Sequence, residues 1–108
     1  MSRILQLNQL IKQELGQLIS SEIEFPNFLV TITNVDTSPD MKSSKILISV
    51  IPDKLRGTAL KILRKNTKNL QSLLKKNISI KFTPNLKFLI DEQEIHASKI
   101  DKLLDEIN

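Results

Sequence analysis

The chain of 108 residues has no cysteine, tryptophan or tyrosine, and only two glycines. Without cysteine there are no disulfides and no thiolate metal sites, and the expected compartment is the cytoplasm, where a domain needs no covalent staples. Without tryptophan or tyrosine, and with four phenylalanines mostly in predicted strands or near Pro26, the aromatic platforms on which single-stranded nucleic acid stacks are not expected. Apolar runs are only a handful of residues, far short of the ~18 that argue a membrane span. The start, "MSRILQLNQLIKQELGQ", meets a polar residue every second or third position, so it lacks the unbroken apolar core of a signal peptide.

The most informative absence is of negative charge. No Asp or Glu lies between Lys54 and Ile90, where Lys54, Arg56, Lys61, Arg64, Lys65, Lys68, Lys75, Lys76, Lys81 and Lys87 stand. All twelve acids lie elsewhere, with only six of the sixteen basic residues. A net charge of +4 thus conceals a strong segregation, and the surface formed by the middle of the chain carries a positive field suited to a polyanion.

What is present suits one domain. A chain of this length buries roughly two-thirds of its unfolded surface, enough for a single core. Ile4, Leu7, Ile11, Leu15 and Leu18 recur at helical spacing, with Ser2 placed to cap. Gly16 inside that helix costs about 1 kcal/mol relative to alanine. Phe28 to Asp36 and Lys45 to Ile51 are β-branched and alternate, and "TSPDMKSS" between them has turn residues, so an antiparallel pair is predicted. A helical region follows from about Thr58 to Asn77. A third strand is predicted through Ile78, Ile80 and Phe82, with Lys81 on its other face and Pro84 bending or ending it. "LKFLID" is a candidate extension. Ile100, Leu103, Leu104 and Ile107 mark a short last helix. The economical packing is a small sheet with helices on one face.

The long helix has an apolar stripe of Ala59, Ile62, Leu63, Leu70, Leu73 and Leu74, and Asn66 falls where its next member belongs. The helical phase continues across the interruption, which predicts a kink, with the Asn66 amide bonding backbone groups freed by the bend. A straight helix with Asn66 at the solvent margin is the alternative. Lys61, Arg64, Lys65, Lys68, Lys75 and Lys76 recur on the opposite side. A helix built only for solubility gains from acids four residues from its bases, and this one has none, so the face is read as anion-binding rather than merely solvated.

Several stretches together resemble the ribosome-binding factor A family of bacterial small-subunit maturation factors. They are "IKQEL", Pro26, "VTITNVDTSPDMKSSKILISV" with Val35, Ser38 and Asp40, "LQSLL", and "IKFTPNLKFLID". The resemblance covers nearly the whole chain. It implies an α+β fold of the KH-like type II, a three-stranded sheet with helices packed on one face and a kinked central helix, as a single ribosome-binding domain over residues 1–108. In place of the GxxG loop of ordinary KH domains, the family has a kink at an Ala-x-Gly triplet, which matches Asn66, Thr67 and Lys68. Asn66 and Lys68 depart from the pattern, as does Phe25 before the proline.

The resemblance further implies binding to the small (30S) subunit and its 16S rRNA in late maturation, support of rRNA processing, importance in the cold, and no catalysis, cofactor or small-molecule substrate. The expected RNA-binding residues are Lys61, Arg64, Lys65, Lys68, Lys75, Lys76 and Lys81, on a protein expected to be monomeric. Residue chemistry agrees: His96 has no metal partners, and Ser38 with Asp40 lacks a base, so both are read as turn residues. Two other readings are a generic basic RNA- or DNA-binding module and an adaptor for a protein or an anionic membrane surface.

Overall fold

The computed structural model describes residues 2–78 and 83–93. The order is α1 (Arg3–Glu22), β1 (Leu29–Thr37), β2 (Ser43–Ile51), a 3-10 turn (Asp53–Leu55), α2 (Arg56–Lys65), α3 (Thr67–Ile78) and β3 (Asn85–Ile90). Its three strands and its central helix in two parts agree with the sheet and kinked helix that the family resemblance implies. The Ser2 hydroxyl caps α1 by accepting from the Leu5 N–H at 3.1 Å.

The sheet runs β1-β2-β3, with β1 and β2 antiparallel as predicted and β2 and β3 parallel. A parallel neighbour needs a long crossover, and α2 and α3 supply it. Ser44, Ile46, Ile48 and Val50 of β2 are buried, and so are Leu86 and Phe88 of β3. Their alternates Lys45, Ile51, Lys87 and Leu89 are exposed, so the sheet has one covered and one open face. In β1 the buried residues Ile32 and Val35 are three apart, because a register shift between Ile32 and Asn34 resets the alternation. Thr33, at that shift, donates its hydroxyl to Asp91 Oδ2 at 2.6 Å, tying β1 to the end of β3.

The covered face meets α1 above β1, α2 above β2 and β3, and α3 against α1. Ile11, Leu15, Leu63, Leu70 and Leu74 are fully buried there, and truncating any one to alanine costs about 2–5 kcal/mol. Both sheet edges are capped by helix side chains. Along β1, Lys12 Nζ donates to the Thr33 carbonyl and the Thr37 N–H donates to Asn8 Oδ1. Along β3, the Leu86 N–H donates to Gln71 Oε1 and Arg64 Nη2 donates to the Phe88 carbonyl. Such caps blunt the pairing tendency of an exposed strand.

One predicted element is corrected. Ile78 closes α3 rather than opening a strand, and the described third strand is the candidate extension, which begins at Asn85 after Pro84. Proline has no N–H to give a ladder, so pairing starts at the next residue, where the Asn85 N–H donates to the Lys42 carbonyl at 2.9 Å. Ile80, Lys81, Phe82, His96 and the predicted last helix, with Ile100, Leu103, Leu104 and Ile107, lie outside the described residues.

Candidate nucleic-acid interface

The helical run breaks at one residue. Asn66 has φ −99° and ψ 4°, outside the helical region, while Lys65 ends α2 and Thr67 begins α3. Its N–H is shared between the carbonyls of Ile62 and Leu63 at 3.2 and 3.1 Å, and its own carbonyl accepts from the Leu70 N–H at 3.0 Å. Two side chains complete the junction. Asn66 Nδ2 donates to the Ile62 carbonyl at 2.8 Å, and the Thr67 hydroxyl donates to the Leu63 carbonyl at 2.9 Å. Polar residues in the apolar stripe thus satisfy carbonyls at the break, which a leucine at position 66 could not do. Lys68, third of the triplet, is already in the first turn of α3 and exposed.

The break keeps both halves facing the core. Ala59 and Leu63 of α2 and Leu70 and Leu74 of α3 are buried, while Lys61, Arg64, Lys65, Lys68, Lys75 and Lys76 are all exposed. None of these six forms an ion pair with a described carboxylate. The basic residues are nevertheless not one flat wall. Arg64 leans onto the β3 edge through its bond to Phe88. Gln71 holds the start of β3, donating to Asn85 Oδ1 and accepting from the Leu86 N–H. Lys68 lies about one turn before Gln71 and Lys75 about one turn after it, so these two share the flank nearest that edge. Lys76 is turned about 100° from Lys75, and Lys61 and Lys65 stand opposite the buried side of α2.

The structure adds cations that the sequence reading did not place at a site. Lys45 of β2 and Lys87 of β3 are register partners on the open face, both exposed. That neighbourhood depends on the parallel pairing of β2 with a strand at 85–90. Sequence reasoning placed the strand chiefly at 78–82, with "LKFLID" only as its extension, and it assigned β2 no parallel partner.

Ser38 and Asp40 form part of the β1–β2 loop. The Ser38 hydroxyl donates to Asp40 Oδ1 at 2.6 Å, and the same carboxylate oxygen accepts from the Lys42 N–H at 3.0 Å. Ser38 Oγ also accepts from the Ser43 N–H at 3.2 Å. Those two donors, the Ser38 hydroxyl most of all, hold the Asp40 carboxyl below its ordinary range. Both side chains hold backbone, which is a turn's chemistry. Among the described residues no group of His, Cys, Asp and Glu is arranged to hold a metal ion.

Comparison with known proteins gives this architecture a lineage. The family model for ribosome-binding factor A matches residues 3–104. Ribosome-binding factor A of Thermodesulfovibrio yellowstonii is 34% identical over 106 residues, covering 97% of this chain and 90% of that one. The Lachnoclostridium phytofermentans protein of the same name is 33% identical over 105 residues, covering 94% and 77%. The crystal structure of ribosome-binding factor A from Thermus thermophilus superposes with a TM-score of 0.73 at 23% identity, over 81% of this chain and 93% of that one. A Thermus homology model, fitted into an electron cryo-microscopy map of a 30S complex, gives 0.69 at 24% identity, over 78% and 90%. At these identities the two structures speak for the fold, while the family rests on the sequence match. By its sequence, from Arg3 to Leu104, the chain belongs to the ribosome-binding factor A family.

Proposed function

We propose that this protein is a non-catalytic assembly factor that binds the small ribosomal subunit and its rRNA during late maturation and supports rRNA processing. The observation that carries the reading is the set of six exposed cations on α2 and α3, with no described carboxylate paired to any of them and the opposite side buried. Lysine and arginine at phosphates supply affinity by releasing counterions, and they position without reading sequence. Specificity then comes from shape, since folded RNA offers phosphates in a fixed three-dimensional arrangement. Bound in that way, the protein favours one RNA conformation over another by its difference in affinity for the two, which is all an assembly factor needs. The family match and the Thermus relative fitted into a 30S map support the choice of partner.

A membrane-surface role needs an apolar helix face free to enter lipid. Ala59, Leu63, Leu70 and Leu74 are buried against the sheet and α1, and no described helix is long and apolar enough to span a membrane. The test is cosedimentation with small subunits, large subunits and free rRNA. The reading predicts clear preference for the small subunit; equal binding to all three reduces the protein to a nonspecific polycation.

A further inference from the structure

Met41 sits in the β1–β2 loop with φ 60°, in the left-handed region that glycine enters freely and a side chain enters at a cost. Asn27 also has positive φ, at 64°, but asparagine tolerates that region and methionine does not gain from it. The conformation is imposed by the surrounding loop. The Met41 N–H donates to the Ser38 carbonyl and the Ser38 N–H to the Ser43 carbonyl, each at 2.8 Å. Asp40 takes the Ser38 hydroxyl and the Lys42 N–H, and the Lys42 carbonyl takes the Asn85 N–H. These bonds would suit glycine at position 41 better, yet the chain holds there an apolar side chain that is 38% exposed. A left-handed residue after such a turn is hairpin geometry, and the feature that calls for a function is the exposed methionine held there in place of glycine.

The surroundings of Met41 say what it meets. Lys42 is the next residue and is exposed, and Lys45 and Lys87 lie two register steps from the Ser43–Asn85 pair at the same end of the sheet. Among the described residues two carboxylates are near: Asp40, engaged within the loop, and Asp36, the register partner of Lys45 on β1. Three lysines outnumber them. Across the β3 edge, Gln71 bonds Asn85 at this same end, and Lys68 and Lys75 flank it on α3. The cationic surface therefore passes from the helices around the edge of β3 onto the open face and ends at Met41.

We propose that this loop is a second RNA contact, in which Lys42, Lys45 and Lys87 meet phosphates and Met41 packs against an unstacked base or wedges at a base step. An apolar side chain beside three cations is the arrangement of a nucleic-acid wedge, whereas a protein contact would centre on a larger apolar patch, and the other exposed apolar side chains of the open face, Leu29, Ile51 and Leu89, lie farther along the strands from this loop. The proposal rests on the small-subunit reading above and extends its contact surface to the opposite side of the sheet.

Met41→Gly in the full chain tests it, because that change relaxes the backbone and removes the knob together. The expected result is an unfolding temperature equal to or above that of the parent, with affinity for small subunits reduced about three- to tenfold and an unchanged salt dependence. Lys45→Gln with Lys87→Gln should instead weaken binding and flatten its logarithmic salt slope by about 0.7 to 0.9 per phosphate lost. Unchanged affinity in folded Met41→Gly overturns the proposal. So does a photo-crosslink from position 41 that lands on a ribosomal protein rather than on rRNA. If the parent protein shows no preference for small subunits, the function proposed above fails first and takes this contact with it. If the parent binds and only the loop variants are silent, this inference alone falls.

Discussion

Replacing Asn8 by alanine removes one oxygen that accepts two bonds. Asn8 Oδ1, on α1, takes the Thr37 N–H at 3.1 Å and the Thr37 hydroxyl at 2.6 Å, and that hydroxyl also lies 2.7 Å from Ser44 Oγ. Thr37 and Ser44 are the two buried polar residues among the described core, at 4% and 0% exposure. After the substitution the threonine hydroxyl keeps Ser44, but its N–H has no partner. An orphaned buried donor costs about 1–3 kcal/mol, and the better helix propensity of alanine returns at most about 0.7 kcal/mol. The expected net loss is about 1.5 kcal/mol. A domain of this size is stable by about 5–15 kcal/mol, and each kcal/mol moves its midpoint by about 4–8 °C, so the unfolding temperature should fall by about 6–12 °C. Urea unfolding of Asn8→Ala, Thr37→Val and the double variant then gives their coupling, expected at about 1 kcal/mol because both singles break the same hydroxyl bond. Additivity within about 0.3 kcal/mol would show that the node does not tie α1 to the hairpin.

Two further outcomes follow from local geometry. A Cβ built at Gly16 meets nothing within 4 Å, so Gly16→Ala should stabilise the protein by about 0.5–1 kcal/mol through helix propensity and chain entropy, and a loss of stability by denaturant titration would mean that α1 needs the gap. The Asp40 carboxyl is held below its ordinary value of 3.8 in the folded state by Ser38 and the Lys42 N–H. Its contribution is therefore present above the unfolded value and lost as pH falls through the lower folded one. The stability difference between the parent and Ser38→Ala should narrow below about pH 4. A difference constant from neutral to acid pH would exclude the carboxylate from the loop's energetics.

Most of the fold was written in short-range patterns. The stripe from Leu7 to Leu18, the cap at Ser2 and the alternating strands joined by a Ser-Pro-Asp turn each depend on neighbours within a few residues, so periodicity exposes them. β3 was legible only as a candidate extension, "LKFLID", because Ile78, Ile80 and Phe82 alternate as well as Leu86 and Phe88 do. Partnership with β2 is a long-range choice, and Pro84 marks where it begins rather than where it stops. The cap of Arg64 on Phe88 and the pairing of Lys45 with Lys87 were hidden for the same reason. The interruption at Asn66 was legible as a mismatch between side chain and stripe. Thr67 as the second donor at the break emerged only from the geometry. Met41 gave no signal in sequence, since a backbone angle is set by the loop around it.

The account stands on the cations of α2 and α3 meeting rRNA. Its most direct test is the salt dependence of small-subunit binding for the variant with Lys61, Lys65, Lys68 and Lys75 all changed to glutamine, with the fold checked by circular dichroism. The account predicts weaker binding and a logarithmic salt slope shallower by about 3 if each lysine meets one phosphate. A folded variant that binds with the parent's affinity and the parent's slope would contradict it.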